Sequence, residues 1–228
     1  MMNEFKAEST PRRGFLARLA AGSLAFVAGG QATAHANLSP HASAPVEKAE
    51  PWLMRIKGKH RQIFDAMEIN SGFPLVMTHI WLMTNKSAYN LSPKELSAVL
   101  VLRHSAIAIC MSDAVWAKYK LGEIFNVTDP VTNKPAERNI YATTKGFALP
   151  PMAEAAMDNL KNRGVILCGC NMALMHFSEV AAEKIGAAKD TTLQEWIKGL
   201  LPGVTLVPSG VLAVGRAQES GCTYCNVT

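Results

Sequence analysis

The chain is 228 residues long with 49% hydrophobic and 18% charged residues, the balance of a globular protein with one sizeable core and not of a disordered or fibrous chain. Its formal charge of +5 falls to +3 once the first 36 residues are set aside, because Lys6, Arg12, Arg13 and Arg18 face only Glu4 and Glu8 there. Without a Lys/Arg block or basic stripe, so small an excess leaves no electrostatic footprint for nucleic acid, and none is expected as a partner.

Residues 1–36 read as a targeting segment. Thr10-Pro11-Arg12-Arg13-Gly14-Phe15-Leu16 resembles the twin-arginine export pattern, in which paired arginines precede a spacer, a Phe and a Leu. The apolar stretch from Phe15 to Gly29 follows, and Ala34-His35-Ala36 supplies a small-x-small cleavage site. This pattern implies passage through the twin-arginine translocase and a periplasmic or otherwise exported mature protein that folds before it crosses. Retention as an uncleaved anchor is the rival reading, but the apolar run carries Arg18 and is shorter than the roughly 20 residues needed to span a bilayer. Residues 37–51, with Pro40, Pro45 and many Ala and Ser, read as a flexible leader.

From residue 52 to 228 short apolar runs alternate with longer helical stretches, the mark of an α/β domain with a mainly parallel sheet. Arg61–Ala66 reads as a weak first strand, and a helix follows from Pro74, a residue suited to a first turn, through Tyr89. Leu96–Leu102 is a better strand, leading into a helix predicted over Ser105–Lys120. Residues 122–151 depart from the rhythm: Asp129-Pro130, Asn133-Lys134-Pro135, Gly146 and Pro150-Pro151 predict a long excursion, suited to a lid or an oligomer contact. A helix over Met152–Asn162 and a buried strand over Gly164–Cys168 come next. Asn171 is placed to cap a helix to Ile185, and a short helix runs from Thr192 to Leu200. The strand Val204–Val207, a helix capped by Ser209 to Glu219 and a last strand over Cys222–Val227 complete the pattern.

The last third carries a resemblance. Gly164-Val165-Ile166-Leu167-Cys168-Gly169-Cys170-Asn171-Met172-Ala173-Leu174, the run from Leu201 to Val211 and the closing Gln218-Glu219-Ser220-Gly221-Cys222-Thr223-Tyr224 resemble the DsrE/DsrF-like family. The similarity covers roughly residues 57–227; its specific part is C-terminal, and the excursion has no counterpart. The resemblance implies a three-layer α/β/α sandwich around a five-stranded, mainly parallel sheet, and homo-oligomers, commonly trimers or hexamers. Some members carry sulfur as a persulfide on one cysteine, which implies a sulfur donor and an acceptor as partners. By position Cys170 is that cysteine. Other members lack it, so a non-catalytic ligand-binding or assembly module stays open beside the sulfur carrier.

The residues point the same way by chemistry. A thiolate, not a thiol, is the nucleophile, and a cysteine between a strand's carboxyl end and a helix start lies in the crevice where open α/β sheets bind ligands. Cys170 has that expected placement, with Cys168 as the last core residue of the strand. His104, after the second strand, faces the same crevice as a candidate to take a proton or stabilise a thiolate. Arg103 is a candidate to hold an anion there, as are Ser209 and Gly210 at a helix start. Cys222 and Cys225 have redox spacing, although residues three apart on a strand point to opposite faces. No metal or other cofactor is predicted. The soft-metal alternative rests on the four thiols together or on Met172, Met175 and His176 with Cys110 and Met111. No nucleophile elbow, phosphate loop or dinucleotide fingerprint occurs.

Overall fold

Leu96–Leu102 is apolar at six of its seven positions and every residue in it is buried, as a strand covered on both faces must be. It forms the centre of the sheet. The computed structural model describes residues 50–147 and 150–228; the targeting segment at 1–36 and the leader at 37–51, save Glu50 and Pro51, lie outside them.

In chain order the elements are β1 (His60–Ala66), α1 (Phe73–Tyr89), β2 (Leu96–Leu102), α2 (Asp113–Tyr119), α3 (Leu121–Ile124), a small hairpin of β3 (Thr128–Asp129) and β4 (Lys134–Pro135), α4 (Met157–Asn162), β5 (Ile166–Cys170), α5 (Asn171–Ile185), α6 (Lys189–Lys198), β6 (Val204–Val207), α7 (Gly210–Glu219) and β7 (Thr223–Asn226). Five strands form one sheet in the order β6-β5-β2-β1-β7, and every neighbouring pair is parallel. With helices on both faces, this is the expected three-layer α/β/α sandwich.

Alternation along the strands divides the core in two. Ile63, Val99, Val101, Ile166 and Cys168 enter a smaller core closed by Trp52, Ile56 and the small residues Ala213 and Ala217 of α7. Phe64, Leu100 and Leu167 enter the larger core with Leu75, Trp116 and Trp196. Each fully buried aliphatic side chain contributes about 2 kcal/mol of transfer free energy. The chain is anchored from Glu50 onward: its carboxylate accepts from Arg216 Nε and Nη2 at 2.8 and 2.9 Å, two residues before the buried Trp52.

Three sequence expectations change. The helix predicted over Ser105–Lys120 is broken into a 3-10 segment, His104–Cys110, and α2. Carbonyls that a continuous helix would use are taken by distant partners: Cys110 O accepts from Leu201 N–H at 2.8 Å, and Asn139 Nδ2 donates to Ile109 O and Met111 O. The helix predicted over Met152–Asn162 breaks at Ala156, where ψ is 152°; α4 then begins with Met157 and Asp158 N–H donating to Tyr141 O and Ala142 O.

The excursion, finally, is packed and not free. Ala136, Ile140, Tyr141 and Phe147 lie in the larger core, and Arg138 grips the buried Asp129 through Nε at 2.6 Å and Nη2 at 3.1 Å. Its described residues are therefore part of the fold's wall.

Candidate functional site at the carboxyl end of the sheet

The strand pairing decides which residues meet at the rim. Leu102 pairs with Gly169, so the next residues, Arg103 and Cys170, stand side by side on strand ends whose backbones run about 4.8 Å apart. On the far side Cys170 pairs with Val207, directly before Pro208, Ser209 and Gly210. Four of the residues expected at the crevice are thus brought together by register alone.

Cys170 is the last residue of β5 and also the cap of α5. Its Sγ accepts the Ala173 N–H at 3.4 Å. The strand was expected to stop at Cys168 and Asn171 to cap; the strand runs two residues further, and Asn171 is already helical. A cysteine thereby takes the position that Ser, Thr or Asp commonly fills, with the positive end of a helix dipole at its sulfur. Cys170 keeps 6% of its surface exposed, whereas Cys110 and Cys168 keep none.

Burial acts on three of the other thiols. It pushes the Cys168 thiol up to about 12 and raises Cys110 and Cys222 as well, so these three stay protonated near neutrality. Cys225 is partly exposed and its Sγ–H donates to Asn226 O at 3.7 Å. Cys222 packs in the smaller core and Cys225 against the larger one, on opposite faces of the sheet, as a spacing of three residues requires. All five cysteines are free thiols. β5 and β7 are separated by β2 and β1, about 14 Å between backbones, so one metal ion does not reach both cysteine pairs of a single chain. Of the other soft-ligand candidates, Cys110 and Met111 are sealed in the core while Met172 is exposed.

Arg103 is held by Asp65 and packed beneath α7. Its Nε–H and Nη2–H donate to Asp65 Oδ1 and Oδ2 at 2.6 and 2.9 Å, and Tyr224 OH donates to Asp65 Oδ2 at 3.0 Å. Its stem lies under the first turn of α7, where a Cβ on Gly210 would stand 2.6 Å from Arg103 Cβ. The bond to Asp65 raises the Arg103 guanidinium further above its ordinary value, and burial with that same carboxylate raises the Tyr224 phenol. Ser209 caps α7 as expected, its Oγ accepting Leu212 N–H at 3.1 Å.

His104 sits in the left-handed region with φ of 47°, a conformation His tolerates better than most residues. Its exposed ring meets the Phe177 ring edge-on at a centroid distance of 5.5 Å. Among the described residues no hydrogen bond joins it to Cys170; the sulfur is contacted by the helix start, and Arg103 stands at the end of the neighbouring strand.

No protein-family model matches the chain, and no curated protein matches it. A solved structure of a protein of unknown function from Methanobacterium thermoautotrophicum is similar to it, with 16% identity over 73% of this chain and 98% of that one and a TM-score of 0.38. A likeness at that level carries no argument about chemistry.

Sequence reading missed Asp65 and Tyr224. Asp65 gave a signal: it is the one charged residue between Ile63-Phe64 and Ala66, and a carboxylate inside an apolar strand requires a partner. Tyr224 gave none, because its contact with Asp65 spans 159 residues of chain.

Proposed function

We propose that the protein is an exported, DsrE/DsrF-like thiol protein in which Cys170 carries sulfane sulfur between a donor and an acceptor. The observation that supports this reading best is the Ala173 N–H donated to Cys170 Sγ at a helix start, beside Arg103. In the transfer, the Cys170 thiolate attacks the terminal sulfur of a donor persulfide. The donor's S–S bond breaks, the donor leaves as a thiolate with the electron pair, and Cys170 becomes the persulfide. An acceptor thiolate repeats the step and restores Cys170. The N–H groups at the α5 start and the Arg103 guanidinium stabilise the sulfur anion in both halves. The twin-arginine pattern supports export of the folded protein, and the family resemblance supports a trimer or hexamer.

The test is intact-mass analysis of the mature protein after exposure to glutathione persulfide, beside Cys170→Ser. One added sulfur atom in the unmodified protein and none in the variant is the expected outcome. An adduct that survives in Cys170→Ser, or no adduct at all, would sink the reading.

A second reading is a ligand-binding module that holds a small anion without chemistry. The paired Arg103 beneath Gly210 favours it, and it becomes the better account if Cys170 takes up no sulfur.

A further inference from the structure

A carboxylate at the end of β1 is an expensive residue to bury. The side chain of Asp65 is 5% exposed and that of Arg103 20%. A buried ion pair of this kind adds little net stability, since well-packed apolar residues commonly serve as well or better. The pair nevertheless shapes three elements around itself: β7 supplies the Tyr224 hydroxyl, α7 opens at a glycine to admit the Arg103 stem, and β2 ends where the guanidinium must stand. The carboxylate is the inner end of the pair and the guanidinium the outer one. Arg103 Nη1 makes no hydrogen bond among the described residues, whereas Nε and Nη2 are both held by Asp65. Arg103 also follows Leu102, whose strand partner Gly169 directly precedes Cys170, so Arg103 and Cys170 stand on neighbouring strand ends.

We infer that Asp65 and Tyr224 are positioning residues that fix the Arg103 guanidinium as the outward, positive end of a buried pair beside Cys170, so that the site favours anionic sulfur donors over neutral ones. The inference rests on the reading of Cys170 as the working thiol. It assigns Asp65 and Tyr224 no contact with a donor; both act through Arg103, whose free Nη1–H groups face the incoming anion and its leaving group.

The experiment compares the rate of Cys170 modification by iodoacetate, an anion, with that by iodoacetamide, its neutral counterpart, in the whole mature protein, using peptide mass spectrometry to assign the site. Relative to the same ratio for a free cysteine, the unmodified protein favours iodoacetate. The ratio falls about threefold or more in Asp65→Asn and in Tyr224→Phe, the size of effect expected for a displaced, partly screened charge. The direction is the decisive part. Asp65→Asn makes the site one charge more positive, so attraction by net charge alone raises the ratio, and only loss of position lowers it. Tyr224→Phe changes no charge and touches a residue that is 47% exposed, so it keeps the test intact if Asp65→Asn fails to fold. A ratio that rises or stays unchanged in the folded variants overturns the inference and leaves the sulfur-carrier reading standing. A Cys170 that neither reagent modifies in the native protein overturns both.

Discussion

At the scale of single residues the site is defined by which groups are not available for chemistry as much as by which are. Cys168 and Tyr141 are both held near 12 by burial. Each is an acid whose folded value lies above its unfolded one, so the unfolded chain loses its proton first as pH rises. Stability is therefore full below about pH 9 and falls as pH rises from about 9 for Cys168 and about 10 for Tyr141 towards about 12, by up to about 1.4 kcal/mol per pH unit for each group. Urea midpoints measured at pH 8, 9 and 10 are expected to decline, with a smaller decline in Cys168→Val; midpoints that hold level across that range would contradict the burial argument. Gly210 makes a second test. An added Cβ meets the Arg103 stem at 2.6 to 2.7 Å, so Gly210→Ala is expected to destabilise the protein by about 1–3 kcal/mol through overpacking, visible as a lowered melting temperature. Cys170, Arg103, His104, Ser209 and Gly210 stand out as candidates in the sequence because each lies at or just after the carboxyl end of an apolar strand. Asp65 signalled only that it needs a partner and Tyr224 signalled nothing, since the Arg103–Asp65 and Tyr224–Asp65 contacts are created by the pairing of β7, β1 and β2, at separations of 38 and 159 residues.

At the scale of elements, strands were read better than helices. The apolar run of β2 is buried at all seven positions, as a strand covered on both faces must be. The helix breaks at Met111 and Ala156 were invisible, since their cause lies in other parts of the chain. Asn139 illustrates this: its side chain donates to Ile109 O at 2.8 Å and Met111 O at 2.6 Å and accepts Tyr141 N–H at 3.0 Å. A residue expected to lie in a free excursion thus satisfies three buried backbone groups. Asn139→Ala is expected to cost about 1–3 kcal/mol, measured as a shift in urea midpoint, whereas truncation of Val131 at the exposed tip near β3 and β4 is expected to cost less than about 0.5 kcal/mol. Equal effects at the two positions would mean that the excursion is not docked in solution. The two-residue extension of β5 matters most for the candidate site, because it moves the helix cap from Asn171 to Cys170 and turns a nearby cysteine into one whose sulfur receives a backbone N–H.

At the scale of the molecule, the parallel order β6-β5-β2-β1-β7 aligns five carboxyl strand ends on one rim, and the thiol, the guanidinium and the start of α7 meet there. Among the described residues no helix is long and apolar enough to cross a membrane. The proposed export is tested at the targeting segment: Arg12→Lys with Arg13→Lys is expected to leave the precursor in the cytoplasm, seen by fractionation, and unchanged export would remove the twin-arginine reading. The central claim is that Cys170 passes sulfur on and does not merely collect it. The most direct measurement loads the mature protein with one sulfur atom, removes the donor and follows intact mass after adding an excess acceptor thiol. The account predicts that the protein returns to its unmodified mass while the acceptor gains an equal amount of sulfur. A loaded protein that keeps its sulfur in the presence of the acceptor would contradict it.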